Sequence, residues 1–185
     1  MRIRSLLAPL LLAGLLACGA DAAPSAGGDT DTDSGSDPVV SSADPAVEAE
    51  LLAFTAPTID GGEVDFAALQ GQDLVVWFWA PWCGSCAAEA EGVARVAADL
   101  GDQAPFVGIG SQAEVDELAG FVDRFTLTEF PQVADPDGTI WLRFADDVIR
   151  SSFLFIDDTG EMTRTGYGEM DEAQLRERVE QLIAS

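Results

Sequence analysis

Leu74-Val75-Val76-Trp77-Phe78-Trp79 is an unbroken run of apolar, β-favouring residues. A strand with one wet face alternates polar and apolar positions, so a run with no polar member needs apolar cover on both sides. The segments around it can supply that cover. Pro81 stops the strand, and an Ala-rich helical segment follows from Cys83 to about Leu100. Phe106-Val107-Gly108-Ile109 reads as the next buried strand, and Ala113 to Phe125 as a helix with Val115, Leu118, Phe121, Val122 and Phe125 on one face. Asp135-Pro136-Asp137-Gly138 is a turn into a short helix with Ile140, Trp141 and Phe144 facing inward. Ser152 to Ile156 and Glu161 to Thr165 form a hairpin about Asp158-Thr159-Gly160, and Asp171 caps a final helix with Leu175, Val179 and Leu182 at core spacing. Ahead of the long strand, Thr55 to Asp65 reads as a small hairpin through Gly61-Gly62, and Asp65 caps a short turn over Phe66 to Leu69. The expected fold class is α/β: a mixed central sheet flanked by helices, with an N-terminal β-hairpin extension.

The first fifty residues read differently. Met1-Arg2-Ile3-Arg4 is a basic start, and Leu6 to Leu16 is apolar apart from Pro9 and Gly14. That stretch is short of the ~20 residues a spanning helix needs and suits the core of a signal peptide. It ends at Leu15-Leu16-Ala17-Cys18, which resembles the lipobox of bacterial lipoproteins, with cleavage before Cys18 and acylation of its thiol. The competing reading is an ordinary secretory signal cut between Ala20 and Ala23, with Cys18 discarded. Both send the chain out of the cytoplasm, where disulfides persist. Residues 18–50 are then a lipidated Cys and a flexible acidic linker, rich in Gly, Ser, Asp and Pro. Asp29, Asp31 and Asp33 alternate as in a calcium loop, but Gly35 and Val40 fall where an EF-hand needs other residues. The folded domain is expected over residues 51–185.

Composition removes several chemistries. The 185-residue chain has no histidine, so it holds no Ser-His-Asp triad, no Cys-His nucleophile pair and no His-ligated metal. With 33 Asp and Glu against 9 basic residues, a net charge of -24, nucleic acid is excluded as a partner. What remains is concentrated at Trp82-Cys83-Gly84-Ser85-Cys86, where the buried strand gives way to the helix. Cys83 is placed at the helix N-terminus, exposed, beside free N–H groups and the positive end of the dipole, which favours its thiolate. Cys86 follows within the first turn and can close or release a disulfide with it. A structural staple competes, although a loop this short constrains the unfolded chain little. A zinc knuckle needs two more ligands, and a metal site is not expected. No cofactor is called for.

Phe78-Trp79-Ala80-Pro81-Trp82-Cys83-Gly84-Ser85-Cys86 resembles the active-site segment of thioredoxin-fold proteins. The Phe54-Thr55-Ala56-Pro57 and Gly71-Gln72-Asp73 blocks are similar to the extension of the extracytoplasmic TlpA/ResA/DsbE-like group. The resemblance spans residues 51–185 and is closest to secreted actinobacterial DsbE-like proteins. It implies a thioredoxin fold and a thiol–disulfide oxidoreductase acting on exported protein thiols or disulfides, with a membrane or soluble redox partner. Cys83 and Cys86 are the implied catalytic pair and Trp82 a supporting residue. Peroxiredoxins share part of the pattern, but they carry Thr or Ser three positions before the reactive Cys, where this chain has Ala80.

Two positions depart from the family. Trp77 stands where thioredoxin has a buried Asp, so the proton acceptor for Cys86 must lie elsewhere. Glu89, one turn beyond Cys86, matches a Glu common in the TlpA-like group and is the candidate, against the alternative of a solvated helix carboxylate. Ser151, in Arg150-Ser151-Ser152-Phe153, occupies the place of the family's cis-proline. Its loop, with Arg150, is expected to face the dithiol and to bind a substrate chain through backbone hydrogen bonds. These departures also leave room for a rival function: a non-catalytic, thioredoxin-fold binding lipoprotein with a vestigial disulfide. Nothing in Gly84-Ser85 fixes whether the pair oxidises or reduces.

Overall fold

A computed structural model describes residues 41–42, 45–145, 151–165 and 170–185. The leader, Cys18, most of the acidic stretch and Arg150 lie outside the described residues. In chain order the elements are β1 (Ser41–Ser42), α1 (Pro45–Leu51), β2 (Thr55–Pro57), β3 (Glu63–Asp65) and a 3-10 turn (Phe66–Leu69). Then come β4 (Leu74–Trp79), α2 (Gly84–Leu100), β5 (Phe106–Ser111), α3 (Val115–Phe125) and β6 (Gln132–Asp135). The chain closes with α4 (Thr139–Phe144), β7 (Ser152–Ile156), β8 (Met162–Arg164) and α5 (Glu172–Ile183).

Every residue of β4 is buried, as its unbroken apolar run demands. It is an inner strand of a six-stranded mixed sheet ordered β1-β8-β7-β4-β5-β6. β5 runs parallel to it, pairing Trp77 with Gly108 and Trp79 with Gly110, and β7 runs antiparallel, pairing Trp77 with Phe153 and Phe78 with Ser152. Odd and even positions of β4 enter separate cores. Val75, Trp77 and Trp79 pack with Cys86, Ala90, Val93, Phe121, Leu175 and Val179 from α2, α3 and α5. Leu74, Val76 and Phe78 pack with Phe66, Ile109, Trp141 and Ile156 on the other side. The expected α/β layering is therefore correct.

Two glycines of β5 make space for the strand end that leads to the cysteines. A Cβ on Gly110 would fall 2.6 Å from Cζ2 of Trp79, and one on Gly108 would fall 2.0 Å from Oε1 of Gln132. That amide oxygen accepts the Trp79 indole N–H at 3.0 Å, while its NH2 donates to the carbonyls of Leu127 and Phe130. The β2–β3 hairpin turns at Gly61, whose φ of 87° is open to glycine, and covers the outer edge of β6 through the Ile59 N–H to Gln132 carbonyl bond.

Tertiary context changes three local readings. Among the described residues, regular structure is already present ahead of Leu51: β1 pairs with β8, and α1 precedes the hairpin. β6 escaped notice, since Gln132-Val133-Ala134-Asp135 has neither length nor a simple period. α3 starts at Val115 rather than Ala113, and Val115 is exposed at its first turn instead of facing the core. The Asp171 cap stands as expected: its carboxylate accepts the Gln174 N–H at 2.9 Å, and the Gln174 side chain accepts the Asp171 N–H at 3.0 Å.

Candidate active site

The site lies where β4 ends and α2 begins. Pro81 breaks the strand, the Cys83 N–H donates to the Ala80 carbonyl at 3.1 Å, and Cys83 becomes the N-cap of α2 with extended φ and ψ. Its Sγ accepts the Cys86 N–H at 3.2 Å, the role a Ser or Asp oxygen plays in most caps. The Ser85 hydroxyl sits 3.2 Å from the same sulfur. Cys83 and Cys86 are joined in a disulfide with Cα atoms 5.3 Å apart, inside the usual span for such a bridge.

Cys83 was expected to be exposed, and it is not: only 6% of its surface is accessible, and Cys86 has none. The reason is the cap geometry, which turns the Cys83 side chain back over the first helical turn toward Cys86. The large exposed group at the site is Trp82, at 55%. Its indole N–H donates to the Gln112 carbonyl at 3.2 Å. Gln112 holds the left-handed region, with φ 55°, which is uncommon for a residue with a side chain. Sequence reasoning missed Gln112, because nothing in Ser111-Gln112-Ala113 announces that backbone.

Glu89 is 4% exposed, so the solvated alternative is excluded. It shares the inward face of α2 with Cys86, three residues earlier. Among the described residues, donors from three parts of the chain converge on its carboxylate. The Trp77 indole N–H reaches Oε2 at 3.2 Å, the Ser151 hydroxyl donates to the same oxygen, and the Met170 N–H reaches Oε1 at 3.1 Å. The Trp77 N–H also reaches the Ser151 oxygen at 3.1 Å. Ser151 has no accessible surface, so its side chain faces Glu89 and Trp77 rather than solvent. The structure thus brings Cys83, Cys86 and Trp82 together at the strand–helix junction, and joins Glu89 to Ser151 and Trp77 beneath it. Among the described residues no His/Cys/Asp/Glu cluster has the arrangement of a metal site.

A dithiol at the N-terminus of a helix that follows the central strand of a helix-flanked mixed sheet defines a thioredoxin-fold oxidoreductase. The chain belongs to the AhpC/TSA family, whose model matches residues 47–165. It is 38% identical to the soluble secreted antigen MPT53 of Mycobacterium tuberculosis over 137 residues, which are 73% of this chain and 78% of that protein. The sporulation thiol-disulfide oxidoreductase A of Bacillus subtilis is 29% identical over 149 residues, 74% of this chain and 82% of that one. Among solved structures, a secreted M. tuberculosis disulfide oxidoreductase homologous to E. coli DsbE superposes with a TM-score of 0.67 at 38% identity, covering 72% of this chain and 98% of that one. DsbF from the same bacterium, solved in mixed oxidised and reduced forms, gives 0.67 at 35% identity over 71% and 96% of the two chains. With its own cysteine pair bonded, this chain is a thiol–disulfide oxidoreductase.

Proposed function

We propose that the protein exchanges thiols and disulfides with exported proteins outside the cytoplasm, tethered to a membrane through a lipidated Cys18. The observation that carries the chemistry is the Cys83–Cys86 disulfide across the first turn of α2, with Cys83 as its N-cap. The extracytoplasmic setting is supported by the leader that ends at Ala17-Cys18 and by relatives whose own names describe secretion. Attachment through lipid is supported by Leu15-Leu16-Ala17-Cys18, which resembles the lipobox of bacterial lipoproteins.

In the reducing direction, the Cys83 thiolate attacks one sulfur of a substrate disulfide, and the other substrate sulfur leaves as a thiolate that takes a proton. Cys86 then gives its thiol proton to Glu89 and attacks Cys83. The mixed disulfide breaks, the second substrate sulfur leaves as a thiolate, and the protein retains the Cys83–Cys86 bond. Two electrons have passed to the substrate; the oxidising direction is the same path reversed. Trp82 supplies an apolar rim, and the Arg150–Ser151 loop offers backbone to an extended substrate chain.

The cysteines test the reading. Cys83→Ser should abolish exchange with a disulfide-bonded protein, and Cys86→Ser should accumulate mixed disulfides visible by mass. Undiminished exchange by Cys83→Ser would sink it. A reduction potential near about -270 mV would assign a reductant, and one near about -120 mV an oxidant. Labelling cells with a radioactive fatty acid tests the anchor, since the label should vanish in Cys18→Ala.

A further inference from the structure

Buried polar groups are costly unless their partners are fixed, so the group that meets Glu89 from the opposite side of the core carries information. That group is Ser151, 62 residues away in sequence and immediately ahead of β7. Its hydroxyl is fully buried, donates to Glu89 and accepts from Trp77. The three residues come from three parts of the fold: Trp77 from β4, whose far end enters the Cys83 turn, Glu89 from the first turns of α2, and Ser151 from the loop ahead of β7 that is expected to receive substrate. The proline that the resembling family carries at this position has no hydrogen-bonding side-chain atom, so the bond to Glu89 belongs to the serine.

We propose that Ser151 is a positioning residue for the exchange reaction: its hydroxyl holds the Glu89 carboxylate in the place from which it takes the proton of Cys86. The inference rests on the function proposed above and on Glu89 as the acceptor. A carboxylate on a flexible three-bond stem has several rotamers, and the conformer that serves Cys86 must be selected before the mixed disulfide resolves. The Ser151 and Trp77 donors both bind Oε2 and the Met170 N–H binds Oε1, which fixes the plane of the group. No chemistry is added to the exchange: the proton leaves Cys86 sulfur for Glu89 oxygen, and the electron pair it leaves behind forms the new bond to Cys83.

Among the described residues, the other ionisable groups on the elements packed around Glu89 have partners of their own or lie on the solvent side. On its own helix they are the two cysteines and Glu91, which is exposed and pairs with Arg95. From α5, Glu172 packs on Gly92, with its carboxylate bound to Arg95 at 2.7 Å and 3.8 Å from Arg176, while Asp171 caps its helix. From β4 and β7 the facing groups, Trp77 and Ser151, do not titrate at working pH.

The test is single-turnover kinetics of the reduced full chain with a disulfide-bonded peptide, quenched by acid and read by mass, from pH 5 to 9. Formation of the mixed disulfide reports Cys83, and its resolution reports Cys86. Glu89→Gln should slow resolution by about a hundredfold. Ser151→Ala should slow it on the order of tenfold and move the midpoint of its pH profile. Ser151→Thr, which keeps the hydroxyl, should restore both. A Ser151→Ala profile that superposes on the wild type while Glu89→Gln is slow overturns the positioning role alone. Unchanged resolution in Glu89→Gln overturns the acceptor assignment and the inference with it. Loss of exchange in the wild type would instead remove the proposed function. Should Ser151→Ala not fold, the redox difference infrared spectrum of the wild type decides. It should contain a carboxyl band that Glu89→Gln removes and that Ser151→Cys, whose S–H is a weaker donor, shifts. A band unmoved in Ser151→Cys, or no such band, overturns the role.

Discussion

The two faces of β4 solve the same packing problem with different chemistry. On the α2 side, both tryptophans satisfy their indole N–H: Trp77 with Glu89 and Ser151, Trp79 with Gln132. On the other side Trp141 is equally buried, yet its N–H finds no partner among the described residues. That second core is held by aromatic contact, with Phe54 stacked on Phe66 at 4.4 Å and Phe78 against Trp141 at 5.3 Å between ring centroids. Burial of apolar surface is the main driving force for such a core, and the second face relies on it. The polar groups of the first face add specific geometry beside the disulfide, where geometry has a use.

The difference can be broken hardest from the apolar side. Phe78→Ala removes a fully buried ring from the second core and should cost about 3–5 kcal/mol of stability. Urea unfolding measures the loss, and exchange by the protein that remains folded should be unchanged. On the other face, Glu89→Leu keeps the side chain's bulk but leaves the Trp77, Ser151 and Met170 donors without their acceptor. It should lose less stability, about 1–3 kcal/mol, and with it the fast resolution step. A Glu89→Leu protein as active as the wild type would mean the polar cluster only fills space.

A matched pair sharpens the comparison further. Trp77→Phe and Trp141→Phe delete the same atoms from equally buried sites, so their transfer and cavity costs are similar. Only the first also removes a hydrogen-bond donor from a charged acceptor. The Trp77 variant should therefore be less stable than the Trp141 variant by about 1–2 kcal/mol in urea unfolding. Equal losses would show that the indole bond contributes nothing net.

What could be foreseen from the sequence follows the same division. β4, the dithiol and the Asp171 cap were legible because their signals are local: an apolar run, a Cys spacing, an Asp three residues before a Gln. Gln132 was not, because its side chain is buried only when β6 joins β5 and brings it under Trp79. Glu89 could be picked by resemblance, but its burial depends on Ser151, just ahead of β7, and on the Met170 backbone, neither near it in sequence. Cys83 was misjudged for a related reason. Helix-end position is readable, but the direction its sulfur takes depends on the bond to Cys86.

Asp135 gives the finest comparison, since it is the buried carboxylate farthest in character from Glu89. It lies at the end of β6, 1% exposed, and accepts the Ile140 and Trp141 N–H groups at 2.9 and 3.0 Å, which caps α4. Burial pushes its carboxyl above the usual range, and those backbone bonds only partly offset this. The sign follows from proton uptake. Between the ordinary Asp value of about 3.9 and its raised native one, the folded state holds a proton that the unfolded state has released, so this group's contribution to stability falls as pH rises. Asp60 and Asp137 act oppositely, held low by the Thr58 and Thr139 hydroxyls, and lose their contribution on acidification. Asp60 is common to wild type and Asp135→Asn and cancels in their difference, which reports Asp135 together with the neighbouring Asp137. At neutral pH the variant should be less stable by about 0.5–1 kcal/mol, because removal of a desolvated charge only partly offsets a lost cap bond. As pH falls toward 4 the gap should widen in favour of the wild type, and a gap that narrows in urea unfolding would reverse the assigned shift.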